Sequence, residues 1–214
     1  MMANWQKHGL ILMGMVEVKD KTVADIGCGD GWASVELKHR GAIVTAVDIL
    51  PEGHYKLDRI VEQGIHYSSL GIRGLEGEHY DLAWCYHVLE HIPNPTLFLS
   101  DIRKVADVLC LAVPKCTPEG FAKGHINMYN MPLLVEHLRR GGWDVEHGQY
   151  TIYPGPKVGA LWTIVSSHEG YMFEDQSTYA KYPEPMNALN VEGENHLRNE
   201  MYEWNWNGSI RKEE

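Results

Sequence analysis

Apolar positions along most of the chain follow two alternating rhythms. Short apolar runs bounded by glycine, proline or aspartate read as buried strands: Thr22–Ile26, Ile43–Val47, then 65–68, 82–86, 108–113, 143–147 and 160–165. Stretches with helical spacing stand among them: 5–16, Trp32–His39, 57–63, 95–105 and 132–140. Gly41, Gly64 and the pair Gly141-Gly142 read as helix stops, and Pro95 suits a first helical turn. Pro114 is expected to halt the fifth strand, and Pro154-Gly155-Pro156 to turn the chain between the last two. Gly9 and Gly14 weaken the first helix. Strands alternating with helices predict an α/β domain, a mainly parallel sheet with helices on both faces.

The rhythm changes after Val165. Residues 166–214 are polar and include Pro183 and Pro185, yet they hold Tyr171, Phe173, Tyr179, Tyr182, Trp204 and Trp206. That aromatic content argues for a docked segment rather than a disordered tail. The expected organisation is one domain over 1–165, its N-terminal helix within 1–21, and an aromatic C-terminal extension over 166–214. The extension is the expected route to any oligomer, because exposed aromatics bury against available apolar surface.

A formal charge of −10 over 214 residues opposes binding to nucleic acid or an anionic membrane surface. The apolar run 10–16 is too short to span a bilayer and lacks a signal peptide's cleavage pattern. Cys28, Cys85, Cys110 and Cys116 form no C-x-x-C pair, so a reduced, cytoplasmic protein is expected.

The stretch Asp25-Ile26-Gly27-Cys28-Gly29-Asp30-Gly31 carries the most chemistry. A strand runs into a glycine loop and then a helix, the arrangement that brings backbone close to a ligand at the carboxyl end of a sheet. A dinucleotide loop would follow G-x-G-x-x-G, but Trp32 stands at the third glycine's place. Asp25 and Asp30 would repel a pyrophosphate and attract a sulfonium and an ammonium. Asp48 ends the second strand, where an acid can accept from both ribose hydroxyls.

These residues, with Tyr80-Asp81-Leu82 leading to Val88-Leu89-Glu90-His91-Ile92-Pro93-Asn94-Pro95, resemble class I S-adenosylmethionine-dependent methyltransferases of the small-molecule type. Gly124-His125-Ile126-Asn127-Met128-Tyr129, before a helix and Gly141-Gly142-Trp143, is similar to the family's segment after the fifth strand. The resemblance covers about 22–165. It implies a Rossmann-like sheet of seven strands, the last antiparallel. It implies a cofactor site of Asp25, Gly27, Cys28, Gly29, Gly31, Asp48, Ile49, Ser69, Tyr86, His87 and His91. Ser69 stands where the family often has an acid near the adenine amine.

His87-Val88-Leu89-Glu90-His91 also spells H-x-x-E-H, the inverted zinc peptidase pattern. That chemistry needs both imidazoles on one helical face and a third ligand. Here a strand precedes His87, and Pro93 and Pro95 limit any helix, so no metal is expected. His91 and His125 are instead candidate catalytic residues, as a base or as groups orienting the acceptor.

Neither N-P-P-Y nor D-P-P-Y follows the fourth strand, and Lys115 separates Pro114 from Cys116. The patterns of amino-methylating DNA enzymes and of cytosine-C5 enzymes are therefore absent. The expected function is S-adenosylmethionine-dependent methyl transfer to a small-molecule, sugar or peptide acceptor by in-line displacement. Two other readings stay open: a noncatalytic S-adenosylmethionine-binding module acting through its extension, and an NAD-dependent oxidoreductase.

Overall fold

A computed structural model of the chain describes residues 4–115, 124–152, 160–167 and 203–206. Strands β1 (Thr22–Ile26), β2 (Ile43–Val47), β3 (His66–Ser68), β4 (Tyr80–Tyr86) and β5 (Ala106–Lys115) pair in parallel, in the order β3-β2-β1-β4-β5. Strand β7 (Ala160–Ser167) lies antiparallel between β5 and β6 (Asp144–Ile152). A further strand, β8 (Glu203–Trp206), pairs antiparallel with β6. The described sheet therefore has eight strands, one beyond the seven implied, and the added one comes from the C-terminal extension. Strand β7 runs through the expected boundary at residue 165.

Helices α1 (Asn4–Met13), α2 (Trp32–His39), α3 (Asp58–Glu62), α4 (Pro95–Arg103) and α5 (Met131–Arg140) complete the layers. Period-two alternation along β4 separates two cores. Leu82, Trp84 and Tyr86 pack with Leu12, Met13, Leu37 and Ile60 of α1, α2 and α3. Ala83 and Cys85 pack with Leu99, Ile102, Leu134 and Leu138 of α4 and α5. Each fully buried Leu or Ile contributes about 1.5–3 kcal/mol relative to exposure. Asn94 and Asn130 cap α4 and α5 by accepting from the amides of Leu97 and Leu133, with proline in the first turn of each helix. The buried Trp143 indole donates to the Leu99 carbonyl at 2.9 Å, which ties the end of α5 to α4 and satisfies its one polar atom.

Two boundaries differ from expectation for local reasons. Strand β5 continues through Pro114, because its partner β4 ends at the Tyr86–Ala112 pair and leaves a free side where a proline is tolerated. The helical run expected from residue 57 begins as a 3₁₀ turn, Tyr55–Leu57, before α3. The Pro154-Gly155-Pro156 turn and most aromatics of the extension lie outside the described residues. Among the described residues, no helix is long and apolar enough to cross a membrane.

The glycine inside α1 has a tertiary cause. A β-carbon at Gly9 would stand 2.6 Å from Cη2 of Trp32, whose ring also meets Trp5 edge-on at 5.4 Å. Gly9→Ala gains about 1 kcal/mol of helix propensity but overpacks the contact by about 1–3 kcal/mol. The expected outcome in urea unfolding is a net loss of stability. In a Trp32→Ala background the same substitution stabilises.

Candidate functional site

The sheet order reverses beside β1, which has β2 on one side and β4 on the other, so a crevice opens at the carboxyl ends of β1 and β4. The glycine loop follows β1. Gly27, Gly29 and Gly31 all have positive φ, at 73°, 55° and 73°. At Gly27 a β-carbon would stand 2.3 Å from Val88 Cγ2, whereas at Gly29 it would meet nothing within 4 Å. Gly27 is thus required by packing and Gly29 by conformation alone, and the backbone at Gly29 faces open space. The amides of Gly27 and Cys28 both donate to the Val47 carbonyl, which binds the loop to the end of β2.

Asp48 organises the rim. Its Oδ2 accepts from the Gly29 amide at 2.9 Å, and its Oδ1 from the amides of Ile49 at 2.7 Å and Leu50 at 3.2 Å. Its carbonyl accepts from Gly71 N, and its amide donates to Ser68 O, so half-buried Ser69 sits beside the same rim. Ile49 is 85% exposed and Leu70 58%, two large apolar side chains left open around this acid.

The other expected site residues divide. Asp25 lies beneath the loop, 1% exposed, and accepts from the Ser34 hydroxyl. Burial raises its carboxyl to about 7; the Ser34 hydrogen bond opposes the rise and Asp48 adds to it. Asp30 faces outward and pairs with Arg59 at 3.4 Å, so its charge is shared with a cation instead of held for a ligand. Burial, then Asp25 and Asp48, push the Cys28 thiol far up, which leaves it unreactive and makes its backbone the part that serves the loop. Tyr86 is stacked on Trp84 and donates to the Trp5 carbonyl at 2.6 Å, so its side chain belongs to the α1 packing and not to the crevice.

The end of β4 gathers the remaining candidates. His87 holds a left-handed φ of 60°, and its amide donates to Ala112 O. That backbone is uncommon for a residue with a β-carbon and turns the chain sharply. The 3₁₀ turn Leu89–His91 follows, so His87 and His91 do not share a helical face. The segment after β5 is clamped onto this turn. The amides of Ile126 and Asn127 donate to the Glu90 carbonyl, and the Asn127 side chain donates to Leu89 O and Ile92 O. The clamp brings His125 to His91, their ring centroids 4.9 Å apart. Burial lowers the His125 pKa, Glu90 opposes that, and His91 and His87 reinforce it.

Comparison with known proteins decides the family. A methyltransferase domain model matches residues 8–147, well over half of the chain. The chain belongs to the methyltransferase domain family.

Among curated relatives of this chain, the ubiquinone biosynthesis O-methyltransferase of Xanthomonas euvesicatoria pv. vesicatoria is 32% identical over 117 residues, covering 50% of this chain and 48% of the relative. The enzyme of the same name from Nitrosomonas europaea is 35% identical over 95 residues, 41% of this chain and 40% of the relative. The chain thus matches about half or less of these relatives' length. The solved 1,6-didemethyltoxoflavin-N1-methyltransferase of Burkholderia thailandensis, bound to 1,6-didemethyltoxoflavin and S-adenosylhomocysteine, superposes with a TM-score of 0.65. Identity there is 20% over 77% of this chain and 78% of that one, a likeness of fold.

Sequence reading did not foresee the position of the Glu90 side chain. It is fully buried beside His87 and His91, although the H-x-x-E-H string had named it. The string shows which residues are present but not that residues 124–127 pack over them.

Asp25 generates a prediction with a definite sign. Its folded-state value near 7 lies above its ordinary 3.8, so the folded chain holds the proton more tightly than the unfolded one. Stability of the ligand-free protein therefore falls as pH rises from about 4 to 7. Asp25→Asn retains an acceptor for Ser34, and in chemical unfolding across that window it flattens the decline.

Proposed function

We propose that this chain binds S-adenosylmethionine along the carboxyl ends of β1 and β2 and catalyses methyl transfer to an oxygen of a small-molecule acceptor. The observation that carries the reading is the open backbone of Gly29, held by the Asp48 carboxylate within a chain of the methyltransferase domain family. The site residues fit such a ligand. Asp48 keeps about one acceptor position, on Oδ2, for a ribose hydroxyl, since a carboxylate offers about four and three already take backbone amides. Ile49 and Leu70 supply apolar walls for an adenine, and the Ser69 hydroxyl a partner for its amine. Gly27, Cys28, Gly29 and Gly31 form the backbone cradle, with buried Asp25 beneath it. The oxygen acceptor follows the curated relatives, which are named O-methyltransferases.

When bound, S-adenosylmethionine supplies an electrophilic methyl on a sulfonium. The chain's task is to hold an acceptor oxygen in line with it, within about 3–3.5 Å. The oxygen lone pair forms the new O–C bond as the C–S bond breaks, leaving S-adenosylhomocysteine and one proton. His91 and His125 stand beside the crevice to orient the acceptor and take that proton. Partial burial of His125 favours its neutral, accepting form. An NAD site is disfavoured because Trp32, at the third glycine's place, packs against α1.

Titration calorimetry tests the cofactor: S-adenosylmethionine and S-adenosylhomocysteine bind, and bind more tightly than NAD. Tighter NAD binding overturns the reading. Asp48→Ala weakens cofactor binding by about 1.5–3 kcal/mol through a lost charged hydrogen bond, and unchanged affinity removes Asp48 from the site. Incubation of metabolite extracts with methyl-labelled cofactor should yield a labelled product and S-adenosylhomocysteine; cofactor binding without turnover on any acceptor would favour a noncatalytic module.

A further inference from the structure

Glu90 is the most anomalous polar residue in the described structure. Its side chain is 0% exposed, yet neither carboxylate oxygen accepts a hydrogen bond. A buried carboxyl group without compensation is strongly unfavourable. His87 Nδ1 lies 3.3 Å from Glu90 Oε1 without hydrogen-bond geometry, and His91 Nε2 lies 3.9 Å from the same oxygen, too far for a hydrogen bond. His87 Nε2 is likewise buried without a hydrogen-bond partner. Glu90, His91 and His125 each present one ligand atom, and these atoms all lie within 4.8 Å of one another.

We propose that Glu90, His91 and His125 bind a divalent transition-metal ion, with His87 as a positioning residue behind the carboxylate. The tautomer of His91 fits this role. Its Nδ1 lies 2.9 Å from the Gly124 carbonyl, which can only accept, so Nδ1 carries the proton. Nε2 is then a lone-pair donor turned toward the Glu90 carboxylate. Two electron-rich atoms facing a common space repel unless a cation lies between them. A ring nitrogen bonded to a backbone carbonyl, with the other nitrogen free to ligate, is the usual arrangement of a metal-bound histidine. Two imidazoles and one carboxylate suit zinc, iron or cobalt better than magnesium or calcium, and match three-ligand sites that keep a position open. The His91 side chain is 45% exposed, so the cluster reaches solvent.

No metal was expected at His87 and His91, because a strand precedes His87 and Pro93 and Pro95 limit any helix. The proposed set is a different one. His87 withdraws to second place, Glu90 enters as a ligand, and His125 arrives from beyond β5. The cluster also adjoins the cofactor loop. Val88, between His87 and the Glu90-His91 pair, fills the space over Gly27. With the ion bound, His91 and His125 would act as ligands and not as the base; an acceptor hydroxyl on the open position would lose its proton more readily, to solvent, which would favour attack by oxygen. That role rests on the proposed methyl transfer; metal binding itself does not.

Full-length protein stripped with a chelator and titrated with Co²⁺ provides the test. The expected result is one Co²⁺ per chain with visible d–d absorption, displaced by Zn²⁺. His91→Ala and His125→Ala, each verified as folded by circular dichroism, abolish the stoichiometric site. His87→Asn, which tolerates the left-handed backbone, keeps the site but weakens it ten- to a hundredfold. Absence of a stoichiometric site in the wild-type chain overturns the proposal, as does full binding by the His91→Ala/His125→Ala double variant. Methyl transfer that persists in stripped protein overturns the metal's catalytic role and leaves the methyltransferase reading intact. Metal binding without any methyl transfer leaves the site standing and overturns that reading instead.

Discussion

The crevice depends on one close contact. Gly27 has no room for a β-carbon, because Val88 of the turn after β4 occupies that space at 2.3 Å. The loop after β1 therefore closes only over a glycine, and the turn after β4 is placed by the side chain that fills the gap. On one side of this contact stand Gly29 and Asp48; on the other stand His87, Glu90, His91 and His125. Two sets of chemical groups from distant parts of the chain are brought together by a steric condition. The link between them at this point is apolar packing, which fixes their separation without using any of their polar atoms.

Around that contact the chain holds polar groups where folding alone would not favour them. Asp25 is buried beneath the loop and keeps its proton to about pH 7. Glu90 is buried at the end of β4, and His87 takes a left-handed backbone to reach it. Such features lower stability and persist where surrounding structure enforces them. The enforcement is visible in the backbone. Val47 O receives two amides of the glycine loop, and Glu90 O receives two amides of the segment after β5.

Much of this was legible from local signals. The strand–glycine–helix order at 22–39 and the acid after β2 were readable because a left-handed loop and a buried parallel strand each leave a distinct local pattern. Pro114 misled because its effect depends on whether a neighbouring strand needs its missing amide, and β4 had already ended. Tyr86 was expected at the cofactor site through the family resemblance; its ring stacks on Trp84 and its hydroxyl donates to the Trp5 carbonyl, contacts that no local pattern encodes. The Gly9 anomaly in α1 had no local explanation, since its cause is the Trp32 ring.

By itself the sequence determined the alternation of elements, the glycine loop, the Asp48 rim and the family resemblance, because these rest on periodicity and on residues a few positions apart. The tertiary structure alone decided which side chains face the crevice and which face the cores. It turned Asp30 to Arg59, drew Tyr86 into the α1 packing, and folded His125 onto Glu90 and His91. The physical reason is that burial and convergence are set by crossing connections. The backbone bonds that bring residues 124–127 over the turn at 89–92 join groups more than thirty positions apart, and no local pattern encodes them.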